Sequence, residues 1–158
     1  MRHATPMLAS GLADHERPLN PQGEATAPRM GRWLVAQREQ PDAIIASTAT
    51  RARRTAELVS AELNHAPAVT TVDSLYLPSV EEIIEVVACQ GGAAGRLLVV
   101  CHNPGISEAV HALAGMDEYM STATVAVLDF EIDVWSDLLV SPRGLLRHMW
   151  RAGELPAE

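Results

Sequence analysis

The sequence predicts a three-layer α/β sandwich, with a largely parallel central sheet flanked by helices and antiparallel strands toward the C-terminus. Three observations lead there. Through residue 113, short apolar runs bounded by polar residues alternate with segments whose apolar residues recur every three to four positions. After that point extended runs follow one another with no helix between them, the pattern of antiparallel additions. Finally, 158 residues with 47% hydrophobic and 20% charged side chains suit one globular domain, 1–158, whose core needs no disulfide or metal to hold it.

Asn20-Pro21 opens the first helix, a capping side chain followed by proline at the first helical position, and Met30, Trp33, Leu34 and Gln37 continue it at helical spacing. Pro28 lies inside that run and should kink it. Residues 42–47, DAIIAS, are an apolar run between polar neighbours, hence a buried strand, and 50–63 form a helix that can turn Ala52, Ala56, Leu58, Val59 and Leu63 inward. Residues 68–72 are a weaker strand. Ser79 and Glu82 make a capping box for a helix over 79–88. RLLVVC, 96–101, is the clearest buried strand, and Asn103-Pro104 starts a helix that closes near Gly115. Residues 122–130, 136–140 and 145–150 are expected to be strands.

A net charge of −8 disfavours a nucleic-acid partner, which calls for a basic face. There is neither an apolar run of ~18 residues nor a basic-then-apolar leader, so no membrane association is expected and the location is read as cytoplasmic. Cys89 and Cys101 form neither a metal spacing nor a disulfide framework, which suits a reducing compartment. No cofactor or metal is expected. All twelve basic residues are arginines, so any phosphate held by a side-chain cation here is held by a guanidinium fork.

In α/β sheets, ligands gather beyond the carboxyl ends of the strands, beside helix N-termini. His102 ends one strand just before a helix, and Arg51 begins a helix just after another. MRHAT, residues 1–5, read alone is a solvated terminus. Taken together, RHA (2–4), ERPLNPQG (16–23), IIASTATRARRTAE (44–57) and LLVVCHNPGIS (97–107) resemble the histidine phosphatase superfamily, in its small SixA-like branch of phosphohistidine phosphatases. Four blocks in order and spacing carry the resemblance, and the interval between Leu63 and Arg96 has no room for a large cap.

The resemblance implies that His3 is the nucleophile and accepts the phosphoryl group as a covalent phosphohistidine. It implies that Arg2 and Arg51 grip the phosphoryl oxygens, that His102 donates to them as a proton-bearing imidazole, and that Arg17 is a fourth contact, although ordering of its own loop explains Arg17 equally well. Backbone donors at 103–105 would add to them. Larger relatives use a carboxylate as general acid. Here Asp14, Glu16, Glu81 and Glu82 are all available and spacing selects none, which favours a phosphoramidate, whose leaving nitrogen needs less protonation than an alkoxide. Cys101 is expected to be a small buried apolar residue on the face opposite His102, and His15, His65, His111 and His148 are given no role.

The expected partner is therefore a phosphorylated protein, a histidine phosphotransfer domain or phosphocarrier, or else a small phosphorylated substrate. Two other readings stay open: a general small-molecule phosphomonoesterase, and a catalytically impaired phosphate- or phosphoprotein-binding module. The second arises because the resemblance places an apolar first strand ahead of the Arg-His pair, and in this sequence it is missing. The expectation is that this strand lies upstream of Met1, and that without it His3 sits on a mobile terminus.

Overall fold

The structure, a computed structural model, describes residues 1–8 and 11–156. Helix α1, Pro21–Ala36, begins where Asn20 Oδ1 accepts the Gly23 N–H at 2.7 Å. It runs on past Pro28 and buries Ala27, Met30 and Leu34. Gly23 is required at this start, because a Cβ there would collide with the Thr5 carbonyl, two residues beyond His3. Strand β1, Ala43–Ser47, lies between β2, Val69–Val72, and β3, Leu97–Val100, parallel to both. The crossovers are α2, Thr50–Ala61, and α3, Val80–Gln90, while α4, Gly105–Ala114, follows β3. The capping box expected at Ser79 and Glu82 is present.

Strand alternation sorts the core into two layers. Ile44, Ala46, Leu98 and Val100 pack with Met30, Leu34, Ala52, Ala56 and Val59 of α1 and α2. Ile45 and Cys101 pack with Ile83, Val86, Ile106, Ala109 and Val110 of α3 and α4. Each fully buried side chain of Ile or Val size contributes roughly 1.5–3 kcal/mol relative to exposure, so both layers are needed to hold the sheet. Burial also pushes the Cys101 thiol up to about 11, which keeps it uncharged and inert.

The C-terminal region departs from expectation in one element. Residues 136–140 do not form a strand: Trp135–Leu139 is a short 3-10 turn. Asp137 accepts from the backbone N–H groups of Asp133 and Val134, and Trp135 Nε1 donates to the Ala94 carbonyl. Local side-chain capping thus competes successfully with an apolar pattern of which only Leu138 is buried. The neighbouring strand β4 is Val125–Asp129, shorter than 122–130 because Ala123 takes a left-handed turn conformation at φ 58°. It pairs antiparallel with β5, Leu145–Trp150, through a bulge at Val127/Leu128.

Residues 1–3 bridge the two sheets. Arg2 pairs with Cys101 in parallel sense: Cys101 N–H donates to Met1 O and His3 N–H to Cys101 O. On the other side Arg2 N–H donates to Thr124 O, and Ala123 N–H to His3 O. The Met1 amine, buried and lowered to about 6 by that burial, donates to Val99 O at 2.7 Å. His3 is therefore held by the backbones on both sides and is not on a mobile end, contrary to expectation. Beyond Met1 the edges of β3 and β4 stand apart across a cavity of about 850 Å³, lined by Leu98, Val99, Val125 and Val127 among others. Glu39, paired with Arg96 and Arg147, also lines this cavity.

Candidate active site

The carboxyl ends of β1 and β3 and the bridging segment 1–3 converge at the start of α2. His3 is 5% exposed. Its Nδ1 lies 2.7 Å from the Ala4 carbonyl, which can only accept, so Nδ1 carries the proton and Nε2 keeps its lone pair. Arg51 Nε–H donates to that Nε2 at 3.3 Å. Burial lowers the His3 pKa most, the Ala4 hydrogen bond opposes this, and the charges of Arg51, Arg2 and Arg17 add to the fall, bringing it to about 4. The imidazole is thus neutral at physiological pH, the state a nucleophile requires.

Arg51 occupies the first turn of α2 and is buried. Its Nη1 donates to the Asp14 carbonyl and its Nη2 to Asp14 Oδ2, at 2.5 and 2.9 Å. Arg2 Nη1 donates to Met120 O and to Tyr119 Oη, while its buried Nε has no partner among the described residues. His102 packs 4.9 Å from His3, ring centre to ring centre, with Nε2 at 2.8 Å from Ser47 Oγ and a buried Nδ1 that has no partner among the described residues. Burial first, then the proximity of His3 and Arg51, lowers its pKa to about 3. It is therefore a neutral imidazole, which still carries one N–H and can donate it. Two guanidinium groups, with unpartnered nitrogens on Arg2 and His102, form a donor set suited to a tetrahedral oxyanion beside His3 Nε2.

Arg17 is engaged with its own loop. Its Nε and Nη2 donate to Met7 O and its Nη1 to Asp14 Oδ1, and its charge is near enough to contribute to the lowered His3 pKa. Among the carboxylates considered as acids, Asp14 comes to the site while Glu82 is engaged in its capping box. Hydrogen bonds from Tyr76, Arg17 and Arg51 hold Asp14 well below the usual carboxylate range, so it is ionised and has no proton to give. Just beyond the donors expected at 103–105, the Ile106 N–H donates to His102 O and the Ser107 and Glu108 N–H groups to Pro104 O.

Sequence reasoning passed over several residues that tertiary structure brings here. Tyr76 donates to Asp14 and meets the His102 ring edge-on at 5.5 Å. His15, given no role, packs on Tyr76 and shares a hydrogen bond with Thr48. Ser47 ends β1 under His102. Only Ser47 carried a sequence signal, as the polar residue closing an apolar strand run. His65, His111 and His148 are exposed, away from these residues.

A parallel sheet with a buried neutral histidine and an arginine cage at its carboxyl edge defines the architecture of a phosphoryl-handling α/β protein. Comparison with known proteins makes it particular. Residues 1–75 match the profile of the histidine phosphatase superfamily (branch 1). The uncharacterized protein MT1313 of Mycobacterium tuberculosis is 39% identical over 116 residues, 73% of this chain and 71% of its own. Among solved structures, SixA from Nakamurella multipartitia, provisionally assigned as a phosphohistidine phosphatase, superposes with a TM-score of 0.83 at 29% identity, covering 96% of this chain and 92% of its own. The protein histidine phosphatase SixA complexed with tungstate shares the fold, with a TM-score of 0.83 at 22% identity over 99% of this chain and 97% of its own. The chain belongs to the histidine phosphatase superfamily, in its SixA-like branch.

Proposed function

We propose that the protein is a phosphohistidine phosphatase that works through a covalent phosphohistidine on His3. The observation that carries this reading is the His3 ring itself: Nδ1 tied to Ala4 O, Nε2 unprotonated and facing a guanidinium. In the first step the Nε2 lone pair forms a bond to phosphorus as the bond to the leaving group breaks. In the second, water attacks phosphorus from the opposite side and the His3 nitrogen departs. The transferred group carries its charge on three equatorial oxygens, so Arg2, Arg51 and His102 supply what catalysis requires, fixed donors in a buried site. Because Asp14 is ionised, it cannot protonate an alkoxide. That favours a substrate whose leaving group is an imidazole nitrogen over a sugar phosphate. The partner in this reading is a phosphorylated protein such as a histidine phosphotransfer domain or phosphocarrier, in a cytoplasmic setting. Exposed Met7, Leu77 and Tyr119, each adjoining a site residue in sequence or by hydrogen bond, suit the surface of a folded partner.

The test is single-turnover dephosphorylation of a phosphohistidine protein and of an aryl phosphate, quenched and analysed by mass spectrometry. An acid-labile phosphoryl group on His3, lost in His3→Ala together with turnover, is the expected result. An adduct on His102, or turnover with no adduct, would refute it. Faster hydrolysis of the aryl phosphate points to a general phosphomonoesterase, and binding without turnover to a phosphate-binding module.

A further inference from the structure

We infer that Ser47 is a positioning residue: it fixes His102 as the neutral tautomer with its proton on Nδ1, so that His102 donates a hydrogen bond to an oxygen of the bound phosphoryl group. The inference rests on the phosphoryl-binding reading of the site and adds to it how one of its donors is set.

Proton accounting around Ser47 Oγ leads to this assignment. Ser47 is fully buried at the end of β1. Its Oγ accepts the Ala49 N–H at 3.2 Å and lies 2.8 Å from His102 Nε2. A hydroxyl has one proton and two lone pairs. If Ser47 donates to Nε2, all three groups are satisfied: the Ala49 N–H has its acceptor, the hydroxyl proton has the imidazole lone pair, and the ring proton sits on Nδ1. If instead His102 donates from Nε2, Oγ becomes a double acceptor, and among the described residues no other acceptor is recorded for the hydroxyl proton. Nδ1 has no recorded protein partner among the described residues in either arrangement, so what separates the two is the orphaned hydroxyl proton of the second, a buried unsatisfied donor that costs about 1–3 kcal/mol and favours the first.

The other end of the ring leads to the same tautomer independently. Nδ1 is buried with no partner among the described residues, in a ring 4.9 Å from the His3 ring. A bare lone pair presented to an oxyanion repels it, whereas an N–H is the donor such a site needs. With Ser47 in place the donor is present before substrate arrives, and no proton has to be acquired from solvent. His102 thus acts without a positive charge, consistent with its low basicity in this pocket.

Nitrogen-15 NMR of the ring nitrogens in the full chain tests the assignment directly, with the His102 signals identified by their loss in His102→Gln. A protonated Nδ1 and an unprotonated Nε2 between about pH 5 and 8 are expected. A proton on Nε2, or an even mixture, would overturn the inference. This readout uses the unmodified protein and needs no variant to fold. The second arm measures orthovanadate affinity in Ser47→Ala, His102→Ala and the double variant, each checked for cooperative unfolding. Ser47→Ala should weaken vanadate about tenfold, the worth of a hydrogen bond to a charged group, and should cost nothing further in the His102→Ala background. Losses that add would show Ser47 acting independently of His102 and sink the claim. If the unmodified chain binds no vanadate at all, the phosphatase reading fails, while the NMR result still decides the tautomer.

Discussion

Replacing Arg51 by lysine keeps a positive charge at the head of α2 and removes the planar fork. In the structure that fork spans His3 and the Asp14 loop at once: Nε to His3 Nε2, Nη1 to Asp14 O, Nη2 to Asp14 Oδ2. An ammonium at the end of a flexible stem cannot hold both ends of this span, and the edge of the guanidinium beside the nucleophile is lost. The side chain is 5% exposed, so solvent screening does little to soften the change. Loss of one to two charge-assisted hydrogen bonds to the phosphoryl oxygens, at about 1.5–3 kcal/mol each, gives about 3 kcal/mol in the transition state. That is a fall of about a hundredfold in kcat/KM. The assay is hydrolysis of an aryl phosphate and of a phosphohistidine protein by Arg51→Lys, with Arg53→Lys as control. Arg53 lies in the same cluster but is half-exposed, 3.8 Å from Glu57, and its replacement should change turnover little. An Arg51→Lys enzyme within threefold of the parent, or an equal loss at Arg53, would refute the view that Arg51 alone of this cluster grips the substrate.

Stability should decline in acid with a definite onset. His3 and His102 bind protons in the unfolded chain near 6.5 but in the folded chain only near 4 and 3, so the unfolded state is favoured progressively as pH falls below 6.5; a Tm constant from pH 7 down to 4 would contradict the burial of both rings. Activity on the acid side should persist to about pH 4, where His3 takes up its proton. Asp14→Asn, which weakens the anchoring of Arg51 and Arg17, is expected to lower kcat/KM about tenfold and to leave the shape of the pH profile unchanged; disappearance of a limb would instead make Asp14 a proton donor. An apolar strand of about five residues fused ahead of Met1 should enter the cavity between β3 and β4 and raise Tm by about 5–10 °C, together with turnover. The Met1 nitrogen would then become an amide and keep its hydrogen bond to Val99 O, without the cost of a buried amine. Unchanged melting and turnover would show that the cavity does not limit this fold.

Much of the architecture was legible because its signals are local. Asn20-Pro21 and Ser79 with Glu82 mark helix starts by hydrogen bonds that span only three residues. The runs at 43–46 and 97–100 are apolar throughout, as strands covered on both faces must be, and the alternation of Ile44 and Ala46 against Ile45 between two core layers follows from strand geometry alone. Where local forces compete, the pattern misled: at 136–140 an aspartate three residues beyond Val134 captured backbone N–H groups and wound the chain into a turn. For the candidate site, the family resemblance pointed to His3, Arg2, Arg51 and His102, and the structure brings His3 beside Arg51 and His102, with Arg2 next to it in the chain. Their protonation states were beyond reach, since these depend on burial and on partners distant along the chain. The His3 pKa depends on its burial beside Arg51, 48 residues away, and the proton on His102 on a serine 55 residues away. Asp14 and Tyr76 joined the site through contacts across 37 and 62 residues that no periodicity encodes. Periodicity and capping are properties of a few neighbouring residues, and so they can be read from the chain. Burial, proton placement and the anchoring of Arg51 exist only once distant segments have packed, and these the tertiary structure alone decided.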